Sequence, residues 1–269
     1  LLEEMFRVPL SDAAAINRRS GIIESFVRLN LSFPYNTSLF DMVEKYLAGH
    51  DGNEGYPHSS TLLGEKEVRN GVTAIIALIH LTKSFIGKEE VAGIIDYAPE
   101  REAIAALLAD PALEPVLKES AKENKLSYAA VTAYDGLLRI SQRSKVADLL
   151  QHIYHLDVYI SVAQTAAERK FIFAKALDKG QGILKAEGVY HPSLKAPIGN
   201  DIVMDPQRNV IFLTGANMAG KSTFLRALST ALYVAHIGFP VAARNMEFAV
   251  VDGIYTTIGE GGIKLSGGE

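Results

Sequence analysis

The chain has 269 residues, 27 Lys+Arg against 31 Asp+Glu (net charge −4), no Cys and no Trp. With 48% hydrophobic residues it can bury a real core, so wholesale disorder is excluded, and the length suits one large domain or two ordinary ones. The missing Cys excludes a disulfide scaffold, a thiol nucleophile and a Cys-ligated metal; the slight acidity excludes a generally basic DNA-coating surface but not a local patch.

Residues 1 to about 180 read as a mainly helical domain. Arg18 and Arg19 sit early in it, and solvated helix faces are the favoured reading of such charges over phosphate contacts. The polar stretch 50–60 (HDGNEGYPHSS) reads as a loop. Its His50, Asp51, Glu54 and His58 are taken as solvated residues rather than metal ligands, because ordered elements normally hold a metal's ligands. The longest apolar run, 72–81 (VTAIIALIHL), is about half of what a membrane helix needs. No signal-peptide layout opens the sequence, and a cytoplasmic protein with no membrane partner is expected. Leu107 and Leu108, then Pro111, Pro115, Val116 and Leu117, suggest helices joined by short turns. From 129 to 177 apolar residues recur at three-to-four spacing without Pro, which predicts one or two long helices. Arg139, Arg143 and Lys145 on this stretch are read like Arg18 and Arg19.

After Gly180 the pattern becomes α/β. Residues 183–189, 201–204 and 210–214 are short β-branched runs bounded by turn residues, 221–236 reads as a helix, and 248–251 and 254–258 read as further strands. The domain boundary is placed at 180/181, so that 1–180 is a helical core/lever domain and 181–269 an incomplete α/β P-loop domain.

The strongest chemical signal is GANMAGKS at 215–222, which fits G-x-x-x-x-G-K-[ST] between a strand pattern and a helix pattern. Such a unit aims backbone N–H groups and a helix N-terminus at an anion. Gly215 and Gly220 permit close backbone approach to phosphate, Lys221 supplies a cation for the β- and γ-phosphates, and Ser222 a hydroxyl for Mg²⁺. Ala216, Asn217, Met218, Ala219 and Thr223 complete the expected nucleotide contact set. This pattern implies a nucleoside triphosphate without saying which base.

The string TGANMAGKST at 214–223 resembles the phosphate loop of the MutS mismatch-repair ATPases, members of the ABC superclass. The resemblance extends to AHIGFPVAA at 235–243, where Pro240 and Ala242 depart from the family pattern, and to DGIYTTIG at 252–259, where Thr257 replaces an Arg. It also touches His191-Pro192, Asn200-Asp201, PLSD at 9–12 with Ile16 and Arg19, and LDV at 156–158. The resemblance implies ATP with Mg²⁺, a homodimer closed by nucleotide, and double-stranded DNA, mismatched or branched, as partner. It places Asn217 near the γ-phosphate and makes His191 a turn-closing residue rather than a catalytic one. In the loop around Pro197 and Ile198 the family places an aromatic against adenine, so Ile198 implies a weaker apolar contact.

LSGGE at 265–269 resembles the ABC signature, in which Ser266 begins a helix facing a partner subunit's γ-phosphate; a Gly-rich tail is the plainer reading. The 45 residues from Lys221 to Ser266 suit the MutS arrangement. The acidic strand that orients Mg²⁺ and water in the family is not found by Glu269, so the chain alone is expected to bind ATP but turn it over little. No F-x-E mismatch-reading motif occurs. The alternatives are therefore a MutS-related branch acting in recombination control or other nucleic-acid remodelling, and an inactive nucleotide-binding or dimerisation module.

Overall fold

The computed structural model describes all residues except 49–63, 120–125, 217, 257, 260–261 and 264–269. Its helices are α1 (Leu2–Arg7), α2 (Ala13–Leu29), α3 (Thr37–Ala48), α4 (Glu65–Ile86), α5 (Glu89–Ala92), α6 (Ala98–Leu108), α7 (Glu114–Lys118), α8 (Tyr128–Asp135), α9 (Arg143–Arg169) and α10 (Lys221–Ile237). The strands are β1 (Lys175–Leu177), β2 (Leu184–Val189), β3 (Asn200–Met204), β4 (Asn245–Ala249), β5 (Ile258–Gly259) and β6 (Gly262–Ile263). The chain is thus mainly helical with a small mixed sheet. It divides into two compact units, one of Leu1–Leu31 with Val158–Glu269, the other Ser32–Asp157.

The first unit is built on a sheet of order β1-β4-β2-β3. β1 runs parallel to β4 (Ala176 opposite Phe248), and β2 runs antiparallel to β4 (Lys185 opposite Glu247) and to β3 (Lys185 opposite Val203). One core cluster gathers Ile16 of α2, Ala176, Ala186, Ile202, Met246 and Phe248 of the sheet, and Ala227, Ala231 and Ala235 of α10. Those three alanines recur every four residues, so they form one face, and their small side chains let the helix lie close to the strands.

Local chemistry explains the ends of α2. The Asp12 carboxylate accepts from Ala15 N (2.8 Å), an N-cap, and Asn30 closes the helix at φ 47°. The Asn17 amide donates to Ala176 O (2.8 Å) and accepts from Ala176 N (2.9 Å), standing beside β1 as a further strand would. Arg19 donates to Ile237 O (2.8 Å), placing a cation on a C-terminal carbonyl of α10. His236 is buried: Val251 N donates to its Nε2 (3.1 Å), so Nδ1 is the donor to Leu232 O (2.7 Å).

In the second unit the apolar run 72–81 lies inside α4, with Val72, Leu78 and Ile79 at most 1% exposed. It is a core helix, and among the described residues no helix is long and apolar enough to cross a membrane. α3 meets α4 at Tyr46 and Gly71, where a Cβ would fall 2.2 Å from Tyr46 Cγ. The Tyr46 hydroxyl donates to Asp135 (2.6 Å), whose other oxygen accepts from Arg139 (2.6 Å), and that guanidinium lies 5.2 Å from the Tyr46 ring. Burial first, and the Asp135 bond second, push the Tyr46 hydroxyl above its ordinary pKa. Tyr35 shares a 2.7 Å bond with Thr82, and burial pushes it up to about 12.

The short helices expected around Pro111 and Pro115 are α6 and α7, with a 3₁₀ turn at Pro111–Leu113 between them. Of the one or two long helices expected over 129–177, the structure has two, and the second stops short of 177. α8 passes into a π-helical segment at Gly136–Ser141, α9 follows, and its end comes at Arg169. Lys170 adopts φ 55° and Phe171 N bonds Ala166 O (3.0 Å), a left-handed closure that turns the chain into β1.

The strands expected at 183–189 and 201–204 are β2 and β3, and the expected helix is α10. The strand expected at 248–251 is displaced toward the N-terminus as β4. The strand expected at 210–214 is corrected: Val210, Ile211, Phe212 and Leu213 make no ladder and are 71, 47, 89 and 40% exposed. Strand preference reports pairing and burial rather than an intrinsic backbone state, and no described strand pairs with this segment. The strand expected at 254–258 likewise does not form at 254–256, where Tyr255 is 95% exposed, while Ile258 belongs to β5.

Candidate functional site

The loop before α10 takes its form from glycine. Gly220 is the N-cap at φ 88°, and a Cβ there would meet only open space. Ala219 N bonds Ala216 O (3.2 Å), which curls the loop. Helical bonding begins with Phe224 N to Gly220 O (2.9 Å), which leaves the amides of Lys221, Ser222 and Thr223 at the open end of the helix. The Lys221 ammonium folds back on the loop, donating to Gly215 O (2.6 Å) and Ala216 O (2.7 Å). Amides and a cation thereby converge at a helix start, an arrangement suited to an anion.

Beside this loop is a cavity of about 550 Å³. Of the residues expected at the site, Ile198, Ala219, Gly220, Lys221 and Thr223 line it. Gly215 and Ala216 reach it through the Lys221 ammonium, Ser222 is in the first turn of α10, and Met218 is fully exposed at φ 65°. Asn217, Thr257 and Ser266, with the signature-like tail, lie outside the described residues, as does the polar loop with His50 and His58. His191 lines the cavity as well and closes a turn. Leu194 N bonds His191 O (3.1 Å), and the Ser193 hydroxyl is 2.8 Å from His191 Nδ1.

Sequence reasoning did not put Tyr190, Leu194, Asp201 and Phe224 in the site, yet they line the same cavity. The His191-Pro192 and Asn200-Asp201 motifs flank the first three, so that signal was present; Phe224 follows from its place one turn into α10. Asp201 sits at a β-bulge where Gly188 takes φ 61°. Its carboxylate accepts from Gly188 N (2.7 Å) and Arg244 (3.1 Å). The Gly188 bond first, and the Arg244 guanidinium second, hold it below the usual carboxylate range. The basic groups considered for DNA are engaged internally. Arg139 pairs with Asp135 (2.6 Å), Lys145 with Asp110 (2.6 Å), and Arg19 with the α10 carbonyl.

Comparisons with known proteins converge on one family. Residues 211–267, from the strand-like segment through the loop and α10, match the family model of MutS domain V. The chain is 34% identical over 125 residues to the DNA mismatch repair protein MutS of Fusobacterium nucleatum, 44% of this chain and 14% of that protein. It is 30% identical over 188 residues to its namesake in Brevibacillus brevis (65% of this chain, 22% of that protein) and 32% over 154 in Desulfovibrio desulfuricans (54% and 16%). The resemblance to the MutS family is thus borne out. The matched stretches span 14 to 22% of these relatives' lengths.

Proposed function

We propose that the chain binds ATP with Mg²⁺ at residues 215–222 and, within a MutS-like protein of DNA mismatch repair, couples nucleotide binding and closure of a homodimer to grip on double-stranded DNA. The architecture that goes with this reading is an ABC-type P-loop domain, to which the sheet and α10 belong. The observation that carries it is the meeting of the Lys221 ammonium and the first amides of α10, both in the stretch matched by MutS domain V, with a 550 Å³ cavity that residues 189–201 also line. Lys221 would exchange two carbonyl contacts for phosphate oxygens, and Ser222 would hold Mg²⁺, which supplies charge neutralisation. Ile198 and Leu194 would give the adenine an apolar wall. Calorimetric titration with ATP and Mg²⁺ tests the reading: wild type binds, and Lys221→Ala binds at least about tenfold more weakly. Equal affinities defeat it.

One observation favours a second reading, a nucleotide-binding or dimerisation module with little turnover. Among the described residues lining the cavity the one carboxylate is Asp201, already committed to Gly188 and Arg244. Brisk phosphate release by the chain overturns that reading. ATP-dependent affinity for a mismatched duplex supports the repair role, for a branched duplex the remodelling branch, and for neither the module.

A further inference from the structure

A second cavity lies wholly within the Ser32–Asp157 unit, at about 620 Å³, inside the range of small-molecule sites. It is an open cleft lined by the end of α4, by α6, and by the turn leading into α7. Its apolar lining includes Ile86 and Leu108, both buried, and Leu117. α6 contributes the small, exposed Ala105 to the lining, so a longer side chain there has room to reach into the space.

The charges around it are unevenly matched. Two carboxylates line the cavity, and each is held by a lysine outside the lining: Asp110 by Lys145 (2.6 Å) and Glu114 by Lys118 (2.6 Å). Asp110 also accepts from Ala112 N (2.9 Å). Two cations line it as well, Lys83 and Arg101, and neither has an ion-pair partner among the described residues. Arg101 Nε is buried and finds no hydrogen-bond acceptor among those residues. A buried guanidinium N–H without an acceptor is costly, so it marks a place where an acceptor is wanted.

We propose that this cavity is a binding site for a small amphipathic carboxylate, its tail against Ile86, Leu108 and Leu117 and its carboxylate bridging Arg101 and Lys83. A single negative charge with an apolar tail fits better than a phosphate dianion. The apolar lining offers a tail no polar partner, and Asp110 and Glu114 repel a second negative charge more than a first. Arg101 supplies the directional bond through its planar N–H fork, and Lys83 supplies a point charge.

The test is calorimetric titration of the 269-residue chain with octanoate, with octan-1-ol as the neutral tail, octylammonium as the cationic one, and inorganic phosphate as the tailless anion. Octanoate binds saturably at one site, and the three controls bind at least about tenfold more weakly, the loss expected when a charge-assisted bond or the apolar burial is missing. Arg101→Met and Lys83→Gln each weaken octanoate by about tenfold or more, and the double variant weakens it further. Ala105→Leu, a substitution helices tolerate, blocks binding by filling the space. Thermal denaturation of each variant shows whether it is folded, and the Ala105→Leu result stands if the charge variants fail to fold. Octanol or phosphate binding as well as octanoate overturns the proposal. So does no saturable octanoate binding, or binding that survives both Ala105→Leu and removal of the two cations.

Discussion

Two apolar stretches of this chain have opposite fates. Residues 72–81 carry Val72, Ile75, Ile76, Leu78 and Ile79, each at most 4% exposed. Residues 210–213 carry Val210, Ile211, Phe212 and Leu213, none less than 40% exposed. Both are rich in β-branched residues. The first has α3 against it, with Tyr46 seated on Gly71; the second has the Asp205–Arg208 turn before it and the phosphate-loop candidate after it, and no ladder partner among the described residues. Composition sets the tendency to be covered, and a partner surface decides whether it is realised.

Substitutions can break or sharpen this contrast. The largest effect is expected at Gly71→Ala, where the new methyl overlaps Tyr46; urea unfolding should show a loss of about 3 kcal/mol. A near-neutral result would mean that α3 and α4 are not closely packed. Lys221→Ala comes next, with ATP affinity falling about tenfold or more while the unfolding midpoint holds, because the Lys221 ammonium bonds loop carbonyls. Asp12→Ala removes the α2 cap and should cost about 1 kcal/mol in the same unfolding experiment.

Alkaline titration adds a check on the buried region. The Tyr35 pKa is raised from 10.0 to about 12, so between those values the unfolded state loses the proton first. Stability from this group is full below pH 10 and falls as pH rises toward 12. Tyr35→Phe should flatten that part of the wild-type stability curve. The smallest effect is expected at Phe212→Ser: an 89% exposed ring contributes little, and stability should stay within about 0.5 kcal/mol. A loss above about 2 kcal/mol would show that residues 210–213 are covered in solution, ending the contrast.

What could be read beforehand follows the same division. The phosphate-loop pattern and α10 were legible because glycine, lysine and serine at fixed spacing answer to local backbone and phosphate chemistry. Pro111 and Pro115 marked helix starts for the local reason that they lack an N–H. The end of α9 was not legible, because Lys170 adopts a left-handed conformation that glycine or asparagine would normally advertise. β1 was hidden because three residues against β4 look like a continuation of helical spacing. Tyr190 joins Lys221 across the cavity, where the adjacent His191-Pro192 motif was the one sequence signal, and Phe224 follows from its place one turn into α10.

The Asn17–Ala176 bonds span 159 residues, and the Arg19–Ile237 bond spans 218. During synthesis α2 therefore leaves the ribosome long before the strand and helix it packs against exist. The intervening Ser32–Asp157 unit, continuous in the chain, can close on its own in the meantime. α2 is made before the Ser32–Asp157 unit and finds its packing partners only after that unit is complete. Until α10 arrives, Ile16, which is wholly buried at the end, has no core to enter.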